Sequence, residues 1–227
     1  MSPETPPLAV DIDGTLTDDR RALNPRVIPV IRNWPERVVV ATGKAMPFPI
    51  ALCEFLGIER TVIAENGGVV FVESTDRLEL VGDKAAADAV AAAYRDQGYD
   101  LGFGTVDLAN RWRETEIVVQ IDQPVAPLEV LAEDHGLVVL DTGYAYHVTD
   151  PSVDKGTGLE TVCAELDHEP GDFLAVGDSE NDAQLFDVAG ESVAVANADP
   201  TARERADRVT EASYADGFLE AVAPYRE

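Results

Sequence analysis

The chain begins with short apolar runs separated by a segment of helical periodicity. The runs from Leu8 to Ile12 and from Arg37 to Ala41 are nearly continuous in apolar residues, which is typical of strands buried on both faces. Between them, a cap and first-turn proline at Asn24-Pro25 precede apolar residues at helical spacing, namely Val27, Ile28, Ile31 and Trp34. The pattern predicts a unit of strand, loop, helix and strand.

The same alternation continues at both ends of the chain. We predict further helices at 48–56, 156–166 and 182–188, and further strands at 61–64, 173–176 and 192–195. After Glu65-Asn66-Gly67-Gly68, the apolar run VVFV predicts a hairpin. Because strands that alternate with helices form parallel sheets covered on both faces, the expected fold class is α/β with a doubly wound parallel sheet.

The middle of the chain breaks this rhythm. An Ala-rich helix at 83–97 is followed by an irregular stretch, and then by the apolar runs EIVVQI, LVVL and YAYHV around a helix at 127–135. A helix and antiparallel strands of this kind predict a small inserted α+β domain. We place its boundaries at the turn residues Gly82 and Pro151, which divides the chain into core 1–81, cap 82–151 and core 152–227.

The charge of the chain limits its partners. Acidic residues outnumber basic ones by 43 to 17, for a formal charge of −26, which argues against binding to nucleic acid or to an anionic membrane. Only three residues are lysine, and the acid is spread along the chain. This indicates adaptation to high salt, where repulsion is screened, and an ordinary acidic cytosolic protein is the alternative. Without a signal segment or a membrane-length apolar run, we expect a cytoplasmic protein, with a homodimer left open.

The densest chemical signal is Asp11-Ile12-Asp13-Gly14-Thr15, at the end of the first predicted strand. Residues two apart on an extended chain project to one side, so Asp11 and Asp13 can both face the crevice where open α/β sheets bind ligands. Two carboxylates about 4 Å apart repel by about 4 kcal/mol at an effective dielectric of about 20, so the pair requires a cation, a proton or a separation. We assign Asp11 to a metal and Asp13 to holding a proton.

Other polar groups follow the remaining strands. An acidic cluster at Asp178 and Asp182 follows a strand, and hard carboxylate oxygens suit magnesium, which takes one or two of them and retains water. Thr42 and Gly43 follow the second strand, and Lys155 opens a helix. A hydroxyl, a free backbone amide and an ammonium group are what a transferring phosphoryl group requires for positioning and charge neutralisation.

Together these motifs resemble the four motifs of the haloacid dehalogenase superfamily of phosphohydrolases, in the same order and over essentially the whole chain. The resemblance implies a Rossmann-like core in which Asp11 attacks phosphorus. It implies that Asp13 protonates the leaving alkoxide and then activates water, while Thr42 and Lys155 bind the phosphoryl oxygens. A magnesium ion is implied at Asp11, the Asp13 carbonyl and Asp178, with Asp182 beside it as a ligand or as support.

The inserted segment resembles the cap of the branch that contains sugar phosphatases and sucrose-phosphate phosphatase. Within that branch, the stretches DKGTGL, GDSENDAQLFDVAG and VAVANAD are most similar to archaeal-type phosphoglycolate phosphatases. The implied substrate is a small phosphate monoester, 2-phosphoglycolate first, with a sugar phosphate or sucrose phosphate as the alternative. Lys44 stands where the branch often has Arg. Lysine retains the positive charge but lacks the planar guanidinium that makes bidentate contacts.

Four residues are weaker candidates for substrate contacts. Asn181 either touches the substrate or belongs to a turn. In the cap, Arg111 and Arg113 either bind an anion or lie in solvent, balanced by neighbouring glutamates. His147 lies on an alternating segment, where a packed histidine is the more typical interpretation.

Two other classes of protein compete with the enzyme. A signalling receiver domain also uses acidic residues, magnesium, a Thr and a Lys around a phosphorylated Asp, but the second acid cluster near Asp178 and the insert weaken that interpretation. A non-catalytic scaffold with the same fold predicts the loss of at least one chemical residue, and none is missing. The sequence therefore favours a phosphatase.

Overall fold

The structure is a computed structural model that describes residues 4–226, so residues 1–3 and 227 of the expected core lie outside it. The strands are β1 (Leu8–Val10), β2 (Val38–Ala41), β3 (Thr61–Ala64), β4 (Val69–Val72), β5 (Arg77–Leu80), β6 (Ile117–Gln120), β7 (Val138–Asp141), β8 (Ala145–Thr149), β9 (Leu174–Gly177), β10 (Glu191–Ala194) and β11 (Arg208–Val209). The α-helices are α1 (Val27–Arg32), α2 (Pro47–Leu56), α3 (Lys84–Asp96), α4 (Val125–Asp134), α5 (Lys155–Leu166), α6 (Ala183–Val188), α7 (Pro200–Arg205) and α8 (Tyr214–Ala221).

Eight strands form one sheet in the order β11-β10-β9-β1-β2-β3-β4-β5. The strands from β11 to β3 are parallel, while β4 and β5 form antiparallel hairpins at one edge. Central β1 pairs with β2 on one side and β9 on the other, so the strand order reverses there. In open α/β sheets such a reversal leaves a crevice at the carboxyl ends of the strands, where ligands bind.

Two apolar layers cover the faces of this sheet. Because side chains alternate along a strand, Leu8 and Val10 of β1 pack with α1 and α8 on one face, whereas Ala9 packs with α5, α6 and α7 on the other. The strands β1, β2, β3 and β9 are buried throughout, as parallel strands between two helical layers must be.

A second, three-stranded antiparallel sheet has the order β6-β8-β7 and carries α3 and α4 against it. Its separate core includes Tyr94 of α3, whose ring stacks on Tyr99 with centroids 4.8 Å apart. The segment between α3 and β6 is irregular, as expected. Within residues 4–226, none of the helices combines the length and hydropathy that a bilayer-spanning helix requires.

The predicted fold class is confirmed: the core is α/β, with a mostly parallel sheet between helices and a small antiparallel cap. Observed boundaries differ from the predicted ones by a few residues, for example at β1, which ends at Val10 because Asp11 begins the turn that follows. The element order is compatible with core 1–81, cap 82–151 and core 152–227, and this division remains our proposal.

Candidate active site

A cavity of about 330 Å³ lies between the carboxyl ends of the central strands and the cap. The sheet side is lined by residues that directly follow β1, β2 and β9, namely Asp11, Asp13, Thr42, Gly43 and Asp178. Strand ends of a parallel sheet meet at one edge, which is why residues far apart in sequence converge there. These five residues, which the sequence places after strands, therefore lie together at one edge of the sheet.

Asp11 directly follows β1, and its side chain is buried, with 4% of the residue exposed. Its Oδ1 accepts a hydrogen bond from Lys155 Nζ at 2.7 Å, whereas its buried Oδ2 has no partner among the described residues. Burial raises the pKa of Asp11 to about 7, against the opposing charge of Lys155. An unpartnered buried oxygen is costly, so Oδ2 is suited to meet a cation or an electrophile.

Lys155 is the first residue of α5 and is fully buried. A capping box between Asp154 and Thr157 sets where this helix begins, and it thereby fixes the lysine. Nζ donates to Asp11 and also to Asp182 Oδ1 at 2.7 Å. Burial alone would lower the pKa of Lys155, but the two carboxylates raise it above its ordinary value, so the ammonium stays charged.

Asp182 orders the loop that follows β9. The residue is fully buried, and its Oδ2 accepts from the backbone N–H groups of Asp178 at 3.0 Å and Ser179 at 3.1 Å. With Oδ1 bound to Lys155, Asp182 connects the lysine to the acidic loop. Its main observed role is thus to position other groups of the site.

Asp178 completes a cluster in which one carboxylate oxygen each from Asp11, Asp178 and Asp182 lie within 4.8 Å of one another. Burial and then the charges of Asp11 and Asp182 raise the pKa of Asp178 to about 9. Three clustered carboxylates face one lysine, so the site has an excess of negative charge that a divalent cation would neutralise. The hard carboxylate oxygens of this cluster fit such an ion.

The turn after β1 brings its backbone close to this cluster. Gly14 has φ of 83°, and a side chain there would overlap the Asp178 carboxylate. Only glycine combines this left-handed conformation with so close an approach. The turn is further fixed by Thr17, whose hydroxyl accepts from Gly14 N–H at 2.9 Å.

Asp13 lines the same cavity two residues after Asp11 and is partly exposed. Its Oδ2 is 2.9 Å from Lys44 Nζ, so Lys44 contacts the residue that the resemblance implies as the acid. Thr42 is buried, and its hydroxyl accepts from Lys44 N–H at 3.1 Å. These contacts fix the strand-end segment 42–44 beside the acidic turn.

Two asparagines in the site were not among the predicted residues. Asn197 follows β10, and its Nδ2 donates to the Gly14 carbonyl at 3.0 Å and to Asp178 Oδ2 at 3.3 Å. Asn66, in the left-handed region at φ 58°, accepts from the predicted Asn181 at 2.9 Å. The position of Asn197 after a predicted strand was a usable signal, whereas the role of Asn66 depends on long-range contacts.

The cap contributes a buried polar cluster to the cavity. Glu116 is fully buried and pairs with both Arg113 and His147. Burial alone would raise the pKa of Glu116, but the charges of His147 and Arg113 hold it below its ordinary value. Arg113 and His147 line the cavity, so His147 is packed as expected but also faces the site. Arg111 is exposed and outside the cavity lining.

The α/β core, with clustered carboxylates and a buried lysine at its strand ends, has the arrangement expected of a phosphohydrolase, and comparison with known families agrees. The family model of haloacid dehalogenase-like hydrolases matches residues 8–101 and 121–222. The chain belongs to the haloacid dehalogenase-like hydrolase family. This confirms the expectation of an enzyme over the receiver-domain and scaffold alternatives.

Two relatives illustrate the range of similarity. A phosphoglycolate phosphatase of Haloarcula marismortui is 76% identical over 227 residues, which is 100% of both chains. A phosphoglycolate phosphatase of Methanothermobacter thermautotrophicus is 38% identical and covers 95% of this chain and 96% of its own. The similarity therefore extends through the cap as well as the core.

Solved structures share the fold. The crystal structure of Thermoplasma acidophilum 0175 superposes with a TM-score of 0.85 at 26% identity and covers 97% of each chain. A haloacid dehalogenase-like hydrolase from Bacteroides thetaiotaomicron has a TM-score of 0.77 at 18% identity, covering 98% of this chain and 99% of that one. At the latter identity the likeness concerns the fold alone.

Proposed function

We propose that this protein is a magnesium-dependent phosphate monoester hydrolase in which Asp11 is the nucleophile. The observation that carries the proposal is the asymmetry of the Asp11 carboxylate, with Oδ1 bound to Lys155 and Oδ2 buried without a partner. A carboxylate held by one oxygen and free at the other is oriented for attack. It also lies at the cavity wall, where a phosphoryl group can reach it.

The reaction proceeds in two displacements. Asp11 Oδ2 forms a bond to phosphorus, the bond between phosphorus and the ester oxygen breaks, and Asp13 gives its proton to the departing alkoxide. Asp13 then takes a proton from a water molecule, whose oxygen attacks phosphorus and releases phosphate with Asp11 restored. Thr42, Gly43 and Lys155 bind the phosphoryl oxygens through a hydroxyl, a backbone amide and an ammonium group.

Magnesium would be bound by Asp11, the Asp13 carbonyl and Asp178. When bound, it would neutralise charge on the phosphoryl oxygens and on the carboxylate cluster. Asp182 would act on this site through its hydrogen bonds to Lys155 and to the Asp178 loop. Asn181 would line the substrate cavity, where its Nδ2 donates a hydrogen bond to Asn66 Oδ1.

We propose 2-phosphoglycolate as the substrate. The names of relatives at 76% to 37% identity support this choice. A cavity of about 330 Å³ also supports it, because the volume lies at the lower end of the range of about 300–1,000 Å³ for ligand sites.

The test is a substrate screen with purified protein and magnesium. Phosphoglycolate, hexose phosphates, sucrose phosphate and an aryl phosphate are compared by kcat/KM. We expect phosphoglycolate to be hydrolysed fastest and chelation of magnesium to stop turnover. A higher kcat/KM for a sugar phosphate would overturn the substrate assignment, and turnover that survives chelation would overturn the metal assignment.

A further inference from the structure

The two walls of the cavity differ in charge. The sheet side carries five carboxylates beside two cations, Arg21 and Lys44; the carboxylates are those of Asp11, Asp13, Asp18, Asp19 and Asp178. The cap side carries Arg113 and His147 with two neutral polar residues and four apolar ones, and among the described residues that line it there is no carboxylate. In a chain with 43 acidic and 17 basic residues, such an acid-free wall is a local exception.

We infer that Arg113 and His147 bind a carboxylate on the leaving group, so that the enzyme selects small phosphorylated hydroxy acids over neutral phosphate esters. This inference rests on the proposed phosphatase function. It assigns to the cap the selection of substrate and to the sheet side the chemistry.

The guanidinium of Arg113 is held rigidly with one corner free. Nε donates to the Ala109 carbonyl at 3.0 Å, and Nη1 donates to the Gly43 carbonyl at 3.0 Å and to Glu116. Nη2 makes no hydrogen bond to any residue from 4 to 226, although the side chain is only 8% exposed and lines the cavity. A fixed fork with an unused N–H group is well suited to a carboxylate oxygen.

His147 offers a second unused nitrogen. The residue is 4% exposed, and its Nδ1 lies 2.9 Å from Glu116 Oε1 and 3.0 Å from Asn66 Nδ2. Nε2 has no hydrogen-bond partner within the described chain. A hydrogen on Nε2 can be donated to a substrate oxygen, and the buried carboxylate of Glu116 balances positive charge at this wall.

Both side chains meet the core at Gly43. Arg113 donates to the Gly43 carbonyl, and a side chain on Gly43 would lie 3.4 Å from His147 Cε1. Gly43 is flanked by Thr42, which we assign to the phosphoryl group, and by Lys44, which pairs with Asp13. In 2-phosphoglycolate the carboxylate carbon is only two bonds from the ester oxygen, so its two anionic groups require binding sites that are close together, as the sites proposed at Thr42 and Arg113 are at Gly43.

The test compares two esters of equal length, 2-phosphoglycolate and 2-hydroxyethyl phosphate, which carries CH₂OH in place of the carboxylate. The variants are Arg113→Gln, His147→Gln and, as a matched control, the exposed neighbour Arg111→Gln. We expect Arg113→Gln to raise KM for phosphoglycolate by about 10- to 100-fold, because a hydrogen bond between charged groups is lost. KM for 2-hydroxyethyl phosphate should change by less than about 3-fold, because this ester has no carboxylate. The Arg111 variant should behave as wild type with both esters.

A binding measurement separates recognition from turnover. In an Asp11→Asn background, calorimetry should show tighter binding of phosphoglycolate than of 2-hydroxyethyl phosphate, and Arg113→Gln should remove most of that difference. If the Arg113 variant does not fold, the carboxylate site is tested by the same comparison of the two esters in His147→Gln and in the wild type.

The outcomes distinguish the two proposals. Equal kcat/KM for both esters in the wild type, or an equal loss with both in Arg113→Gln, would overturn the carboxylate site and leave the phosphatase assignment standing. Failure to hydrolyse any phosphate ester, with the binding preference intact, would overturn the phosphatase assignment alone.

Discussion

At the scale of single residues, the site depends on which atoms already have partners. Lys155 uses its ammonium to bind Asp11 and Asp182, and this leaves Asp11 Oδ2 open. Asp182 uses its remaining oxygen to order the backbone at Asp178. Asp178 is thus presented to the cavity with weak contacts only, from Thr15 at 3.4 Å and Asn197 at 3.3 Å. Its carboxylate is the one best placed to change partner when a metal binds.

This leads to a prediction for Asp178→Asn. Removing one anionic ligand should weaken magnesium binding, so the variant should require a higher magnesium concentration for half-maximal activity. In the wild type, magnesium at about 100 times its Kd should stabilise the fold by about 2.7 kcal/mol, and this gain should shrink in the variant at the same concentration. Thermal unfolding measures it directly. Glu180→Gln, on an exposed neighbour, is the control, and identical magnesium titrations for both variants would contradict the assignment.

The sequence identified the site residues that directly follow strands, but not those whose role is to connect one loop with another. Asp11, Thr42 and Asp178 were predictable because strand ends of a parallel sheet converge. Asn66 was not, because its contacts to Asn181 and to the cap join segments far apart in sequence. The burial of Arg113 had the same cause, since its partner carbonyl belongs to Gly43 in the core.

At the scale of elements, the junction between β3 and β4 attaches the cap to the core. Glu65 is fully buried at this junction, and its carboxylate accepts from the Glu114 N–H at 2.9 Å and from the Thr115 N–H and hydroxyl at 2.9 and 2.7 Å. These three donors belong to the segment just before β6. Glu65 therefore fixes the place where the cap sheet begins, next to Glu116 and Arg113.

We predict that Glu65→Gln loosens this attachment. The side-chain NH₂ of Gln is a donor and cannot accept from the N–H and hydroxyl groups that bind the Glu65 carboxylate. The free energy of unfolding should therefore fall by about 1–3 kcal/mol. Hydrogen exchange should show faster exchange of the Glu114 and Thr115 amides than in the wild type. The exposed Glu36→Gln serves as control for the loss of one charge. Unchanged stability together with unchanged protection of both amides would rule out this role for Glu65.

At the scale of the whole molecule, the net charge of −26 is spread over the chain. Such a surface repels itself in dilute buffer, and the repulsion is screened as the Debye length falls from about 10 Å at about 0.1 M salt to about 3 Å at about 1 M. Relatives from Haloarcula, Natronomonas and Halobacterium have 76%, 58% and 54% identity. Composition alone predicts salt adaptation, because charge density can be read without knowledge of the fold.

We expect the free energy of unfolding to rise between about 0.1 M and about 1 M KCl, with activity retained at the higher concentration. Urea unfolding at each salt concentration measures the first, and steady-state kinetics the second. Sucrose at matched osmolality is the control, because it is uncharged and stabilises proteins only by being excluded from their surface. Full stability in dilute buffer together with loss of activity in molar KCl would refute the salt adaptation.

The central claim is that Asp11 is phosphorylated during turnover, and it can be tested by trapping the protein with radiolabelled phosphoglycolate and magnesium. Acid quench within one turnover, followed by peptide mapping, should place the label on the peptide that contains Asp11. The Asp11→Asn variant should fold, bind no covalent label and lose turnover. Turnover without protein-bound label in the wild type, or substantial hydrolysis by Asp11→Asn, would contradict the claim.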